Sequence, residues 1–268
     1  MSISPRSIRA YGCGSPIRLP IVHALALGSK ADYFYPEENP IYQGGDSIVW
    51  GLIRGAREIM IETNQSGRIF YQIDNAYFGR NIYYRITKNA LQLSQISDQV
   101  TAHRRESIFK ELGLRILPWN NKRNGPIILC LSSSHLYEFY GANTEAWITS
   151  TIAQIRRYSD REIIIRDKDL DPSNPIQAQI NNAWCVVTHV SAAALDALLL
   201  GIPVITTGHC AASPLSTTFE LIENPPMSEG REELFASLSW GQFTPAEMLN
   251  GFAWNILTQD PTKDPLAF

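Results

Sequence analysis

The sequence predicts an α/β protein built as two Rossmann-like halves, and three observations carry that prediction. Short apolar runs rich in β-branched residues alternate with runs of helical period, the pattern of βαβ units around parallel sheets. The chain has 268 residues, 44% hydrophobic and 18% charged, which is ample for packed cores, long for one domain and short for two full-sized ones. A polar, basic, turn-rich stretch at 119–125 (WNNKRNG) falls near the middle and reads as a linker. The predicted halves are residues 1–121 and 122–268.

In the first half, residues 7–11 form the first strand. Gly12-Cys13-Gly14-Ser15-Pro16 supplies a tight turn, and Pro16 suits the first turn of a helix reaching about residue 27. Residues 32–35 and 47–50 are the next strands, the latter ended by Gly51. A helix over 56–64 leads to a strand at 68–73 that ends at Asp74-Asn75. The stretch 83–93 is ambiguous, with room for a further strand and a helix.

The second half is more regular. A strand at 127–131 runs into the Ser132-Ser133-Ser134 loop. Residues 144–158 form an amphipathic helix with Ile148, Ile152 and Ile155 on one stripe. Strands at 162–165, 184–187 and 203–206 alternate with helices at 175–182 and 192–200. Gly201-Ile202-Pro203 supplies the glycine and proline expected just past a helix end. A single C-terminal helix over 245–257 starts behind Thr244 as N-cap, with Pro245 at its first position.

A net charge of −3 argues against tight non-specific DNA binding, which requires many phosphates to be neutralised. Arg104-Arg105 and Lys122-Arg123 are local basic pairs all the same. Cys13, Cys130, Cys185 and Cys210 are widely spaced and read as reduced, buried thiols of a cytoplasmic protein. The N-terminal residues lack an apolar core and a cleavage site, and no apolar run approaches the ~20 residues that span a bilayer. A soluble protein with no membrane partner is expected.

The densest chemistry lies in 184–208, WCVVTHVSAAALDALLLGIPVITTG. A buried strand ends at Thr188, and small residues (Ser191, Ala192) open an apolar helix whose N–H groups and dipole suit a phosphate. An ordinary capped βα turn reads from the same residues. Asp196 is the one charge in this run, so it must be paired or face a cleft, where a ribose diol would suit it. Ser132, Ser133 and Ser134 follow the first strand of this half and are candidate diphosphate contacts. Arg166 and Lys168 follow the second and could offset donor charge, although a solvated loop fits them as well. Gly208 and His209 begin the next loop, where a lone surface histidine is the plain reading of His209. Asp74 closes a strand where ligands gather in open α/β sheets, and it is the candidate base for an acceptor hydroxyl; capping the following turn is its structural alternative. Gly14, Tyr77 and Arg80 are candidate acceptor-side residues. Asp167-x-Asp169 mimics a metal-binding pair but sits in a charged loop where such spacing is cheap, and no His or Cys has zinc-ligand spacing, so no metal and no bound cofactor are expected.

The run 187–208 resembles the donor-half signature of bacterial capsule-polysaccharide (Kdo-type) glycosyltransferases: a Ser/Thr-rich turn, a helix with an acidic residue, then G-x-P-V-x-T and a glycine loop. Val49-Trp50-Gly51 and the later Ile73-Asp74-Asn75-Ala76-Tyr77-Phe78-Gly79-Arg80 are similar to that family's W-G and acidic-acidic-G-aromatic-L-R stretches. Asn75 and Ala76 stand where the family has a second acid and a glycine. The compact form, with D-N-A-Y-F-G and Y-Y-R-I-T, also resembles glycosyltransferase-like proteins of bacteriophages. The resemblance implies a compact GT-B architecture, two Rossmann-like halves facing each other across a cleft, with the C-terminal helix returning to the first half. It implies a metal-independent transferase whose co-substrate is a nucleotide-sugar, UDP- or CMP-linked. Its phage branch points to a hydroxymethylated pyrimidine of DNA as acceptor. A polysaccharide transferase, a nucleotide-sugar epimerase and a non-catalytic nucleotide-binding scaffold are the alternatives.

Overall fold

A computed structural model of the chain describes residues 7–13, 16–93, 95–97, 100–120, 124–167 and 175–258. The chain divides into two compact units. One takes the chain as far as Leu93 and resumes at Ser237, and the other takes Thr101–Ala236. The crossing therefore lies near residues 93–101, upstream of the 119–125 stretch expected to link the halves.

In chain order the first unit contributes β1 (Ile8–Tyr11), α1 (Leu19–Ser29), β2 (Tyr33–Tyr35), β3 (Asp46–Trp50), α2 (Ala56–Gln65), β4 (Phe70–Asn75) and β5 (Tyr84–Lys88). The second contributes α3 (His103–Leu112), β6 (Ile127–Cys130), α4 (Ser134–Phe139), α5 (Thr144–Ile155), β7 (Ile163–Arg166), α6 (Ile176–Ile180), β8 (Cys185–Thr188), α7 (Ala193–Leu199) and β9 (Val204–Thr206). Helix α8 (Arg231–Trp240) contains the division at Ala236, and β10 (Gln242–Phe243), α9 (Pro245–Leu249) and α10 (Phe252–Leu257) follow in the first unit.

The first sheet has the order β10-β5-β4-β3-β1-β2. Strands β2, β1, β3 and β4 are parallel, while β5 and β10 extend the sheet antiparallel. The second sheet is wholly parallel, in the order β7-β6-β8-β9. Ranked by chain order, each unit's four parallel strands run second-first-third-fourth. This doubly wound order has its reversal point between the first and third strands, and ligands of such sheets bind outside the carboxyl ends there.

The central strands are apolar because helices cover both faces. β6 (IILC) and β8 (CVVT) are buried throughout. On α5 the buried residues are Trp147, Thr151 and Ile155, so the expected stripe is rotated slightly: Ile148 and Ile152 flank the core rather than centre on it. Some buried polar groups of the first unit are matched internally. The Asp46 carboxylate accepts from the Ile69 N–H at 3.0 Å, and the Ser47 and Thr63 hydroxyls meet at 2.9 Å.

Several boundaries differ from expectation. α1 begins at Leu19, so Pro20 rather than Pro16 occupies its first turn, where the missing N–H is harmless. The ambiguous 83–93 stretch holds strand β5 and no helix. The C-terminal helix is two helices, because Asn250 ends α9 and Gly251, at φ +82°, starts α10. Thr244 caps α9 as expected, in a full capping box with Glu247. Among the described residues no helix is long and apolar enough to cross a membrane, and all four cysteines are buried and unpaired.

Candidate functional site

In the second unit the four parallel strands end in one row. Register places Arg166, Cys130, Thr188 and Thr206 side by side at the carboxyl edge of β7, β6, β8 and β9. The reversal point lies between β6 and β8, and hydroxyls stitch it closed. Thr188 Oγ1 donates to the Cys130 carbonyl at 2.6 Å and accepts from the Ser191 N–H at 3.3 Å. Ser132 Oγ accepts from the Val190 N–H at 3.1 Å, and Ser191 Oγ accepts from the Ala193 N–H at 3.3 Å. Ser132, Thr188 and Ser191 are thus brought together, but two of the N–H groups expected to face an anion, those of Ser191 and Ala193, are taken by hydroxyls. The helix behind them, α7, has seven residues and Ala192 at its N-cap, so its dipole is short. Thr188 itself is fully buried.

His189 follows Thr188 and gathers the aromatic residues of this edge. Its ring stacks on Tyr137 (centroids 5.4 Å apart, planes 9° apart), meets Tyr140 edge-on and lies 6.2 Å from Trp147. Thr207 Oγ1 accepts from Trp147 Nε1 at 2.7 Å and lies 2.9 Å from His189 Nδ1. Indole only donates, so the Thr207 hydroxyl hydrogen is available to Nδ1, an assignment that leaves the ring proton on Nε2. That Nε2 is buried without a hydrogen-bond partner, and burial pushes the pKa of His189 down. On that assignment the neutral ring offers one unmatched donor. Gly208 is a glycine because a Cβ there would stand 2.7 Å from His189 Cε1 and 2.8 Å from Val190 Cγ1.

The other expected donor-side residues are placed as follows. Asp196 is half-buried, and its Oδ1 accepts from Gln177 Nε2 at 2.6 Å, so an amide meets the carboxylate assigned to a ribose. Arg166 Nε donates to Gln179 Oε1 at 2.6 Å. Ser133 and Ser134 open α4, which has no side-chain cap, and His209 is exposed. Lys168 and Gly14 lie outside the described residues. Among the described residues no group of three or more His, Cys, Asp or Glu is placed to hold a metal ion.

In the first unit Asp74, next to last in β4, stands opposite Arg85 of β5. Arg85 Nη2 bonds Asp74 Oδ2 at 2.7 Å, with side-chain exposures of 7% and 23%, and Asp74 Oδ1 accepts from the Asn75 N–H at 2.7 Å. The carboxylate is thus fixed by a buried guanidinium while keeping some solvent access. Arg18 lies over the Trp50 ring at 4.7 Å and reaches Asn75 Oδ1 at 3.5 Å. Tyr77, expected on the acceptor side, is buried: its hydroxyl accepts from the Leu93 N–H at 2.7 Å and its own N–H donates to Gln242 Oε1 at 3.0 Å. Arg80 is exposed. Sequence reasoning missed Arg85, Arg18, Thr207 and the ring cluster around His189. Only the T-H-V-S turn itself hinted at the last.

No family model matches the chain, and no curated protein matches it by sequence. Solved structures do. The chain is similar to the beta Kdo 2,4 transferase of Thermosulfurimonas dismutans KpsC, with TM-score 0.51 and 13% identity over 89% of this chain and 92% of that one. It is also similar to the beta Kdo 2,7 transferase of the same KpsC, with TM-score 0.55 and 13% identity over 93% and 99%. At that identity the likeness is one of fold: this chain has the GT-B-like α/β fold of those transferases, with two Rossmann-like units.

Proposed function

We propose that the chain is a glycosyltransferase that moves a sugar from a nucleotide-activated donor to an acceptor hydroxyl, with the nucleotide seated at the carboxyl edge of β6, β8 and β9. One observation carries this reading: the reversal point of the second sheet gathers Ser132, Thr188, Thr207 and a neutral His189 with an unmatched buried Nε2. A buried donor without an acceptor costs ~1–3 kcal/mol, and a phosphate oxygen of the donor would recover it. The fold likeness to two Kdo transferases supports the same reaction class.

In this reading the bond from the anomeric carbon to the donor phosphate breaks as the acceptor oxygen forms its own. The acceptor's proton passes to Asp74, and the nucleotide leaves with the electron pair. Arg85 holds the Asp74 carboxylate in one orientation before that step. Asp196 is the proposed ribose partner, releasing Gln177, and Arg166 offsets phosphate charge. A DNA acceptor is not carried forward: Arg105, one of its basic residues, is 12% exposed and paired with Glu232 at 2.9 Å.

The test is nucleotide release from a panel of CMP-, UDP-, GDP- and ADP-sugars, with and without hydroxyl acceptors. Release from one nucleotide class is expected, falling ~10²–10⁴-fold in Asp74→Asn, as for loss of a general base. Thr188→Val should raise KM instead. Donor consumed without acceptor would indicate an epimerase, and no release from any member would overturn the reading.

A further inference from the structure

Among the described residues strand β7 forms one edge of the parallel sheet, and three isoleucines in a row occupy it. Ile164 is 41% exposed and Ile165 45%. Proteins usually blunt such edges with charge, proline or a bulge, and none interrupts Ile163-Ile164-Ile165. The Ile127 N–H donates to the Glu162 carbonyl at 2.8 Å, and the Leu131 N–H to the Arg166 carbonyl at 3.0 Å. Glu162, Ile164 and Arg166 thus turn their peptide groups toward β6, and by alternation Ile163 and Ile165 turn theirs outward.

We propose that a second copy of the chain docks on this edge, β7 against β7, antiparallel about a two-fold axis through Ile164. In that register Ile163 and the partner's Ile165 exchange backbone hydrogen bonds, and Ile164 faces the partner's Ile164. The flanks then match in charge: Glu162 opposes the partner's Arg166, and Arg161 opposes the partner's Asp167. The segment Arg161–Asp167, REIIIRD, is complementary to its own reverse. Sliding by two residues either way sets Ile164 against the partner's Glu162 or the partner's Arg166 and loses the match. Arg161 already pairs with Glu223 at 3.0 Å and Arg166 with Gln179 at 2.6 Å, so the flanking charges act by proximity rather than by new bidentate pairs. An antiparallel pair is also the arrangement that a two-fold axis generates.

Sedimentation or light scattering of the full chain should give twice the 30.1 kDa of one copy, and Ile164→Lys should give one copy with an unchanged far-ultraviolet circular dichroism spectrum. The register has its own test, which does not depend on that variant. Ile164→Cys places two thiols across the axis on Cα atoms ~4.5 Å apart, within disulfide range. Mild oxidation should cross-link it, whereas Ile163→Cys, which faces Ile165, should stay uncross-linked. The native cysteines are buried and should not compete. A single copy at every concentration, or equal cross-linking of the two cysteine variants, would overturn the proposal.

Discussion

His189 illustrates how much chemistry one turn residue can gather. Its folded pKa is pushed down by burial, so the unfolded chain binds a proton that the folded one refuses. Stability should be full above the unfolded value of 6.5 and fall as the pH drops below it. His189→Phe, which keeps a ring in the stack, should flatten that part of the stability–pH curve. Denaturant melts between pH 5 and 8 would show this, and an unchanged slope would contradict it. Gly208→Ala tests the close approach behind the ring. The added methyl has nowhere to go without moving His189, so a loss of roughly 1–3 kcal/mol is expected in the same melts. Ser132, Thr188 and Ser191 were legible in the sequence as a polar turn. Their partners were not, because those hydroxyls reach backbone groups brought close only by the sheet: Ser132 and Val190 are 58 residues apart. The Asp74–Arg85 pair was hidden for a similar reason, since it exists only once 84–88 is known to be an antiparallel strand.

At the scale of elements, apolar strands and apolar helices announced themselves. β6, β8 and α7 are buried on nearly every face, so their composition speaks without context. Helix α3, HRRESIFKEL, buries only Ile108 and Phe109 and carries no such signal. Its place was legible only through a partner, Phe235 of α8, with ring centroids 5.7 Å apart. Short-range capping chemistry was readable, and Thr244→Ala should cost ~1 kcal/mol through loss of the capping box. The α1–α9 contact is less forgiving. A Cβ on Gly28 would stand 1.8 Å from the Met248 carbonyl oxygen, which is backbone and cannot swing aside. Gly28→Ala should therefore destabilise more than Thr244→Ala in parallel thermal melts, and equal costs would show that α9 docks loosely.

Across the whole molecule the same second-first-third-fourth strand order appears in both units; the alternation of strands and helices was legible in the chain, and the strand order was not. What the sequence placed poorly was the seam. The basic 119–125 stretch looked like a linker, whereas the chain changes unit some twenty residues earlier, in a segment with no compositional mark. The central claim is that the second sheet's reversal point binds the nucleotide of an activated sugar. Its most direct test is the thermal stability of wild-type and Thr188→Val proteins with each nucleotide-sugar. One nucleotide class, at ~100 times its dissociation constant, should stabilise the wild type by ~2.7 kcal/mol and the variant by clearly less. Equal stabilisation of both proteins, or none from any nucleotide, would contradict it.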